Sequence, residues 1–154
     1  MFGAVLYKTM DSMLLTFDND ARYINLNPTD SLLTLTQNIR FTGGGTNFNS
    51  IFDRTSQKFD RIIILSDMQA WMQSNTYSWY RSSNPKESFN NYKQRTGCNP
   101  KIYSFDLNSY GSMQFPENNV FCLAGFSDKI FDIMKLLETD KNALINKINS
   151  IKFN

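Results

Sequence analysis

Histidine is absent from the 154 residues of this chain. Its absence removes Ser-His-Asp and Cys-His catalysis, histidine-ligated zinc and imidazole acid–base work at neutral pH. Any active site must run on carboxylates, hydroxyls, lysine or a hard metal ion. Cysteine is nearly absent as well: Cys98 and Cys122 are too few for a disulfide scaffold or a structural zinc site, and they read as ordinary thiols. No apolar run, Ile62 to Leu65 included, approaches the roughly 18 residues of a transmembrane helix. No basic region followed by an apolar stretch opens the chain, so the expectation is a cytoplasmic protein without membrane contact. Phosphate cradles fail too. Gly43-Gly44-Gly45-Thr46 lacks the Gly-Lys-Ser/Thr of a P-loop, and Phe48 stands where a dinucleotide fingerprint needs glycine. Net charge is small, with 16 Lys+Arg against 14 Asp+Glu, so no global basic field points to nucleic acid.

What is present suffices for one domain. The hydrophobic share is 41% and the mean hydropathy is -0.41, as in a folded globular chain long enough to bury a core. Apolar runs alternate with helical patterns, which predicts an α/β fold with a mostly parallel sheet covered by helices. Met13 to Phe17 and Ala21 to Leu26, joined by the polar turn Asp18-Asn19-Asp20, read as a hairpin, so that one strand of the sheet is antiparallel. Thr29 or Asp30 is the expected cap of a helix with Leu32, Leu33, Leu35 and Ile39 mostly on one face. Phe48, Ile51, Phe52, Thr55 and Phe59 recur at helical spacing.

Arg61-Ile62-Ile63-Ile64-Leu65-Ser66-Asp67 reads as a central strand, because a β-branched run that does not alternate must be covered on both faces. Lys101 to Asp106 and Asn119 to Ala124 are further strands. The second precedes a helix with Ile130, Phe131, Met134 and Leu137 inward. Thr139 or Asp140 is the expected cap of a last helix that uses Leu144, Ile148 and Ile151. Between these strands, the stretch Trp71 to Arg95 interleaves aromatics, including Trp79 and Tyr80, with basic residues. Arg81, Lys86, Lys93, Arg95 and the nearby Lys101 face Glu87 alone. Such a mixture suits stacking on bases and pairing with phosphates of single-stranded RNA. It equally suits aromatics that cover a sheet edge beside a solvated helix starting near Pro85.

In an open α/β sheet the loops at the carboxyl ends of the strands form the binding crevice, and Thr46 and Asp67 both belong to that edge. A hydroxyl and a carboxylate are hard ligands suited to Mg²⁺ or another divalent cation. The alternative is structural: the three glycines permit a tight turn, Thr46 caps the next helix, and Asp67 caps the segment after its strand. A phosphoryl-transfer enzyme built on Asp67 and Asp106 lacks an accompanying nucleophile, lysine or phosphate loop.

Three segments in order, Gly43-Gly44-Gly45-Thr46-Asn47-Phe48, Asp60 to Gln69, and Val120 to Asp128, resemble the von Willebrand factor A-type module at the C-terminal end of Ro-like (TROVE) ribonucleoproteins. The likeness spans nearly the whole chain, residues 1–154 forming one partial domain. It implies a Rossmann-like fold with a metal-ion-dependent adhesion site, made in that family by an Asp-x-Ser-x-Ser cluster, a Thr and an Asp. Thr46 and Asp67 match the last two. Asp11-Ser12-Met13 does not satisfy the first, and Gly3 to Lys8 resembles the last turns of the family's first helix. The first strand and its metal loop are therefore missing from the pattern. Divalent binding is expected to be weak or absent, and the site a remnant. A lost central strand also opens two ladders to a protein partner, to the missing N-terminal segment, or to a homodimer by strand exchange. Family members meet small noncoding RNA mainly through a preceding helical ring that nothing here resembles. The resemblance thus implies a non-enzymatic interaction module of an RNA-associated protein.

Overall fold

A computed structural model describes residues 1–66, 84–107, 117–124, 129–140 and 142–151. The described residues follow the order α1 (Phe2–Thr9), β1 (Leu14–Phe17), β2 (Ala21–Ile24), α2 (Leu32–Asn38), α3 (Asn49–Arg54), β3 (Arg61–Ser66), α4 (Pro85–Thr96), β4 (Lys101–Asp106), β5 (Val120–Ala124), α5 (Lys129–Thr139) and α6 (Ala143–Ser150). The fold is mixed α/β. Among the described residues no helix is long and apolar enough to cross a membrane.

The strands form two sheets. β3, β4 and β5 make a parallel three-stranded ladder, in which Ile64 faces Ser104 and Ser104 faces Cys122. β1 and β2 pair antiparallel in register, Leu14 opposite Ile24 and Phe17 opposite Ala21. The hairpin is thus formed as its polar turn predicts, but it is a separate two-stranded sheet and not the antiparallel edge of a single one. No backbone ladder joins the two sheets among the described residues; helices do. On one face α3 packs Phe48, Ile51 and Phe52 against Ile64, Ile102, Phe89 and Tyr92, with Leu15 and Phe17 of the hairpin joining the same cluster. On the other face Phe2 of α1 stacks edge-on to Phe105, ring centroids 5.6 Å apart, while Ala4 packs with Leu26 and Leu35 on the hairpin side.

Local chemistry explains the helix ends. Asn84 accepts the Lys86 amide at 3.0 Å and Pro85 occupies the first turn, so α4 starts where its sequence predicts. α2 is capped by Ser31, whose hydroxyl accepts the Thr34 amide at 3.1 Å, and not by Thr29 or Asp30. Thr29 is instead held in a turn by the Asn27 side chain, and Asp30 N–H donates to the Asn27 carbonyl at 3.0 Å. Only Leu35 of the expected stripe is buried and Ile39 half-buried, whereas Leu33 is 63% exposed, because α2 meets little beyond α1. α3 ends at Arg54, and Phe59 reaches the core from the following loop.

α5 buries Ile130, Met134 and Leu137, with Phe131 partly covered. α6 corrects its expectation: Asn142 is the cap, and Ile148 and Ile151 are 62% and 55% exposed, since among the described residues this helix leans mainly on α5. The Leu144 side chain lies outside the described residues. At the amino end of the parallel sheet, Arg61 grips Glu138 through two bonds of 2.8 and 2.7 Å, and the Tyr103 hydroxyl donates to the same carboxylate at 3.2 Å.

Candidate functional site

The carboxyl edge of the parallel sheet places Ser66, Asp106 and Ala124 at one level, as successive register partners. Asp106 and Ser66 are buried there. Asp67, the next residue after Ser66, lies outside the described residues.

Thr46 is half-buried, on the loop between α2 and α3. That loop docks on the hairpin turn. Gly45 N–H donates to Asn19 Oδ1 at 2.8 Å, Asn47 N–H to the Asp18 carbonyl at 2.7 Å, and the Thr42 hydroxyl to the Asp18 carboxylate. Gly44 has φ +122°, and a Cβ there would stand 2.4 Å from Asn19 Nδ2, so glycine is required both by conformation and by contact. Phe48, one turn further, lies 5.2 Å from the Phe17 ring at the end of β1. The Gly-Gly-Gly-Thr loop therefore sits at the carboxyl end of β1. Read as sequence, Asp18 and Asn19 are mere turn residues; the signal of their further role is turn-type chemistry at Asp18-Asn19-Asp20 facing a glycine run 26 positions on at Gly45.

Do these donors suit a metal? The two carboxylates of the turn are already engaged. Asp18 accepts from Thr42, from the Asp20 amide and from Arg22 at 3.0 Å; Asp20 accepts two bonds from Arg54, at 2.9 and 2.6 Å. The Thr42 hydroxyl and the Asp20 amide hold the Asp18 carboxyl down from 3.8 to about 2. Among the described residues no group of three His, Cys, Asp or Glu side chains gathers to hold an ion. Both carboxylates of the turn thus already have hydrogen-bond partners.

Of the residues expected to meet RNA, Trp79, Tyr80 and Arg81 lie outside the described residues. Lys86 is exposed on the first turn of α4. Lys93 donates to Glu117 at 3.0 Å and stands 4.5 Å over the Phe89 ring. Arg95 donates to the Phe52 and Thr55 carbonyls at 2.7 and 2.8 Å and so closes the end of α3. Both cations thus have structural partners. Cys98 donates to the Tyr92 hydroxyl at 3.2 Å; burial pushes its thiol up, but the hydrogen bonds with Thr96 and Tyr92 outweigh burial and hold it below its ordinary value. Burial and the Asp106 charge push Cys122 up.

Among the described residues a groove of about 1170 Å³ lies between the sheets, with β1 on one wall, β3 on the other, and α1 and α3 above and below. Gly3 of α1 lies against both walls: a Cβ on it would stand 3.7 Å from Leu14 Cδ1 and 3.7 Å from Leu65 Cδ1. No family model matches the chain, and no curated protein matches it.

Proposed function

We propose that this chain is a non-enzymatic interaction module of von Willebrand factor A type, from a Ro-like RNA-associated protein, carrying a remnant metal-ion-dependent adhesion site at Thr46 and Asp67. One observation carries the reading. A Gly-Gly-Gly-Thr loop is fixed at the carboxyl end of β1, beside a parallel sheet whose own carboxyl edge collects Ser66 and Asp106. Hard oxygen groups at strand ends are the pattern of a site that receives ligand through a crevice above the sheet. The engagement of Asp18 and Asp20 by Thr42, Arg22 and Arg54 supports the remnant character of the site, because it leaves the turn no carboxylate to add to Thr46.

The test is a calorimetric titration of Mg²⁺ and Mn²⁺ into the full chain, with Asp67→Ala as control. The expected result is no heat beyond dilution in either protein. Micromolar binding that disappears in Asp67→Ala would overturn the remnant reading and establish a working site.

A further inference from the structure

β3 has the composition of an interior strand and, among the described residues, the position of an edge. Its run Ile62-Ile63-Ile64-Leu65 carries no lysine, proline or bulge, the devices by which exposed edges are protected from adding another strand. β4, which shares its register, is buried over five of its six residues, whereas in β3 only Ile64 and Ser66 are buried.

Ladder parity shows what the open edge presents. Lys101 N–H donates to the Asp60 carbonyl and Leu107 N–H to the Ser66 carbonyl, both at 3.0 Å, so β4 is served by the even-numbered residues. The N–H and C=O groups of Arg61, Ile63 and Leu65 then point the other way. In the hairpin, Asp18 N–H donates to the Asp20 carbonyl at 3.0 Å, which makes Leu14 and Thr16 the residues bonded to β2 and turns the backbone of Leu15 and Phe17 outward. All five of these outward-facing residues line the groove. Two rows of backbone donors and acceptors thus face one gap, and neither row has a backbone partner among the described residues.

We propose that the groove between β1 and β3 is an acceptor site for an extended polypeptide strand supplied by another chain, uncharged and apolar on both faces, which bonds to both walls and turns the two sheets into one. Backbone is the ligand chemistry that repeats donors and acceptors at the spacing of a strand, about 3.3 Å per residue. Both faces of such a strand would be covered, by Phe2, Leu6 and Tyr7 of α1 on one side and Ile51 of α3 on the other, so its residues must be apolar throughout and not alternating. Charge agrees. The walls from Leu14 to Phe17 and from Ile62 to Leu65 carry none, and Lys58, Asp60 and Arg61 stand together where β3 begins. The volume exceeds the roughly 300–1000 Å³ of a typical small-molecule pocket. This proposal stands whether or not Asp67 binds a metal.

The experiment measures amide hydrogen exchange in the full chain, alone and with a synthetic peptide of alternating valine and isoleucine flanked by lysines. Added peptide should slow exchange at Ile63 and Leu65 by about ten-fold or more, and leave the β4-bonded amides of Ile62 and Ile64 unchanged. Ile63→Pro removes an N–H that faces the groove and none that faces β4, so it should abolish the protection at Leu65 while preserving the far-ultraviolet spectrum. Should that variant fail to fold, the same peptide with N-methylated central residues serves instead, and it should give no protection. Unchanged exchange at Ile63 and Leu65 would overturn the proposal. So would protection of Ile63 equal to that of Ile64 without peptide, or protection that rises with protein concentration alone, which would assign the groove to a second copy of this chain.

Discussion

The hairpin sheet and the parallel sheet are held by opposite means. At the hairpin turn the contacts are polar and sequence-distant: Thr42, Gly45, Asn47 and Arg54 all bond to the three residues of the turn Asp18-Asn19-Asp20. The strands themselves pack apolar residues, such as Leu15 and Phe17, that are only partly buried. In the parallel sheet the weight lies on wholly buried rings and aliphatics, Phe89, Tyr92, Tyr103 and Phe105 among them. A two-stranded ribbon is marginal by itself, and its turn is tied down from outside. A three-stranded sheet with two covered faces is stabilised by burial. The seam between them has helices across it and, among the described residues, no ladder, and that is where the groove lies.

This contrast can be broken at its strongest point first. Phe105→Ala leaves a void between Phe2 and α5 and should cost about 3–5 kcal/mol in urea unfolding, against under about half of that for Leu15→Ala on half-buried β1. Equal losses would mean that the hairpin is built like the parallel sheet. Next come two glycines with positive φ, one in each half. Gly97→Ala, at φ +67° with open space around it, should cost about 1 kcal/mol for backbone conformation. Gly44→Ala adds the collision with Asn19 and should lower the thermal midpoint further. A smaller loss at Gly44 would show that the loop does not rest on the turn.

The mildest test uses acid. The folded-state value of Asp18 lies below its unfolded one, so its contribution is fully present above 3.8 and is lost as pH falls toward about 2. Amide signals of Thr42 and Asp20 should shift in that window, and Asp18→Asn should remove the transition. A transition that persists in Asp18→Asn would assign it to another carboxylate.

How much of the molecule is legible in its sequence differs by the range of the interaction. Strands with consistent patterns, such as Lys101 to Asp106, and the Asn84-Pro85 helix start are local signals and form as expected. Ser31 displaces Thr29 and Asp30 as cap because Asn27 draws Thr29 into a turn, a competition among neighbours that residue type alone does not rank. Ile148 and Ile151 show helical spacing without burial, since spacing says which residues share a face and not what lies opposite. The division into two sheets is a question of which edges meet, and no single strand records it. At the candidate site Thr46 is legible as a loop residue of a strand-end crevice. The attachment of its loop to Asn19 through Gly45 is not, because the pair lies 26 residues apart.

The isoleucine-rich border of β3 has a consequence for the lifetime of the protein in solution. A flat apolar edge with unused backbone groups is a template for its own kind. On heating, irreversible loss of native material is set by how often such borders meet in partly opened chains, and no longer by the equilibrium between folded and unfolded chains. The half-life of the purified protein should therefore shorten as its concentration rises, at temperatures where its helices are still intact.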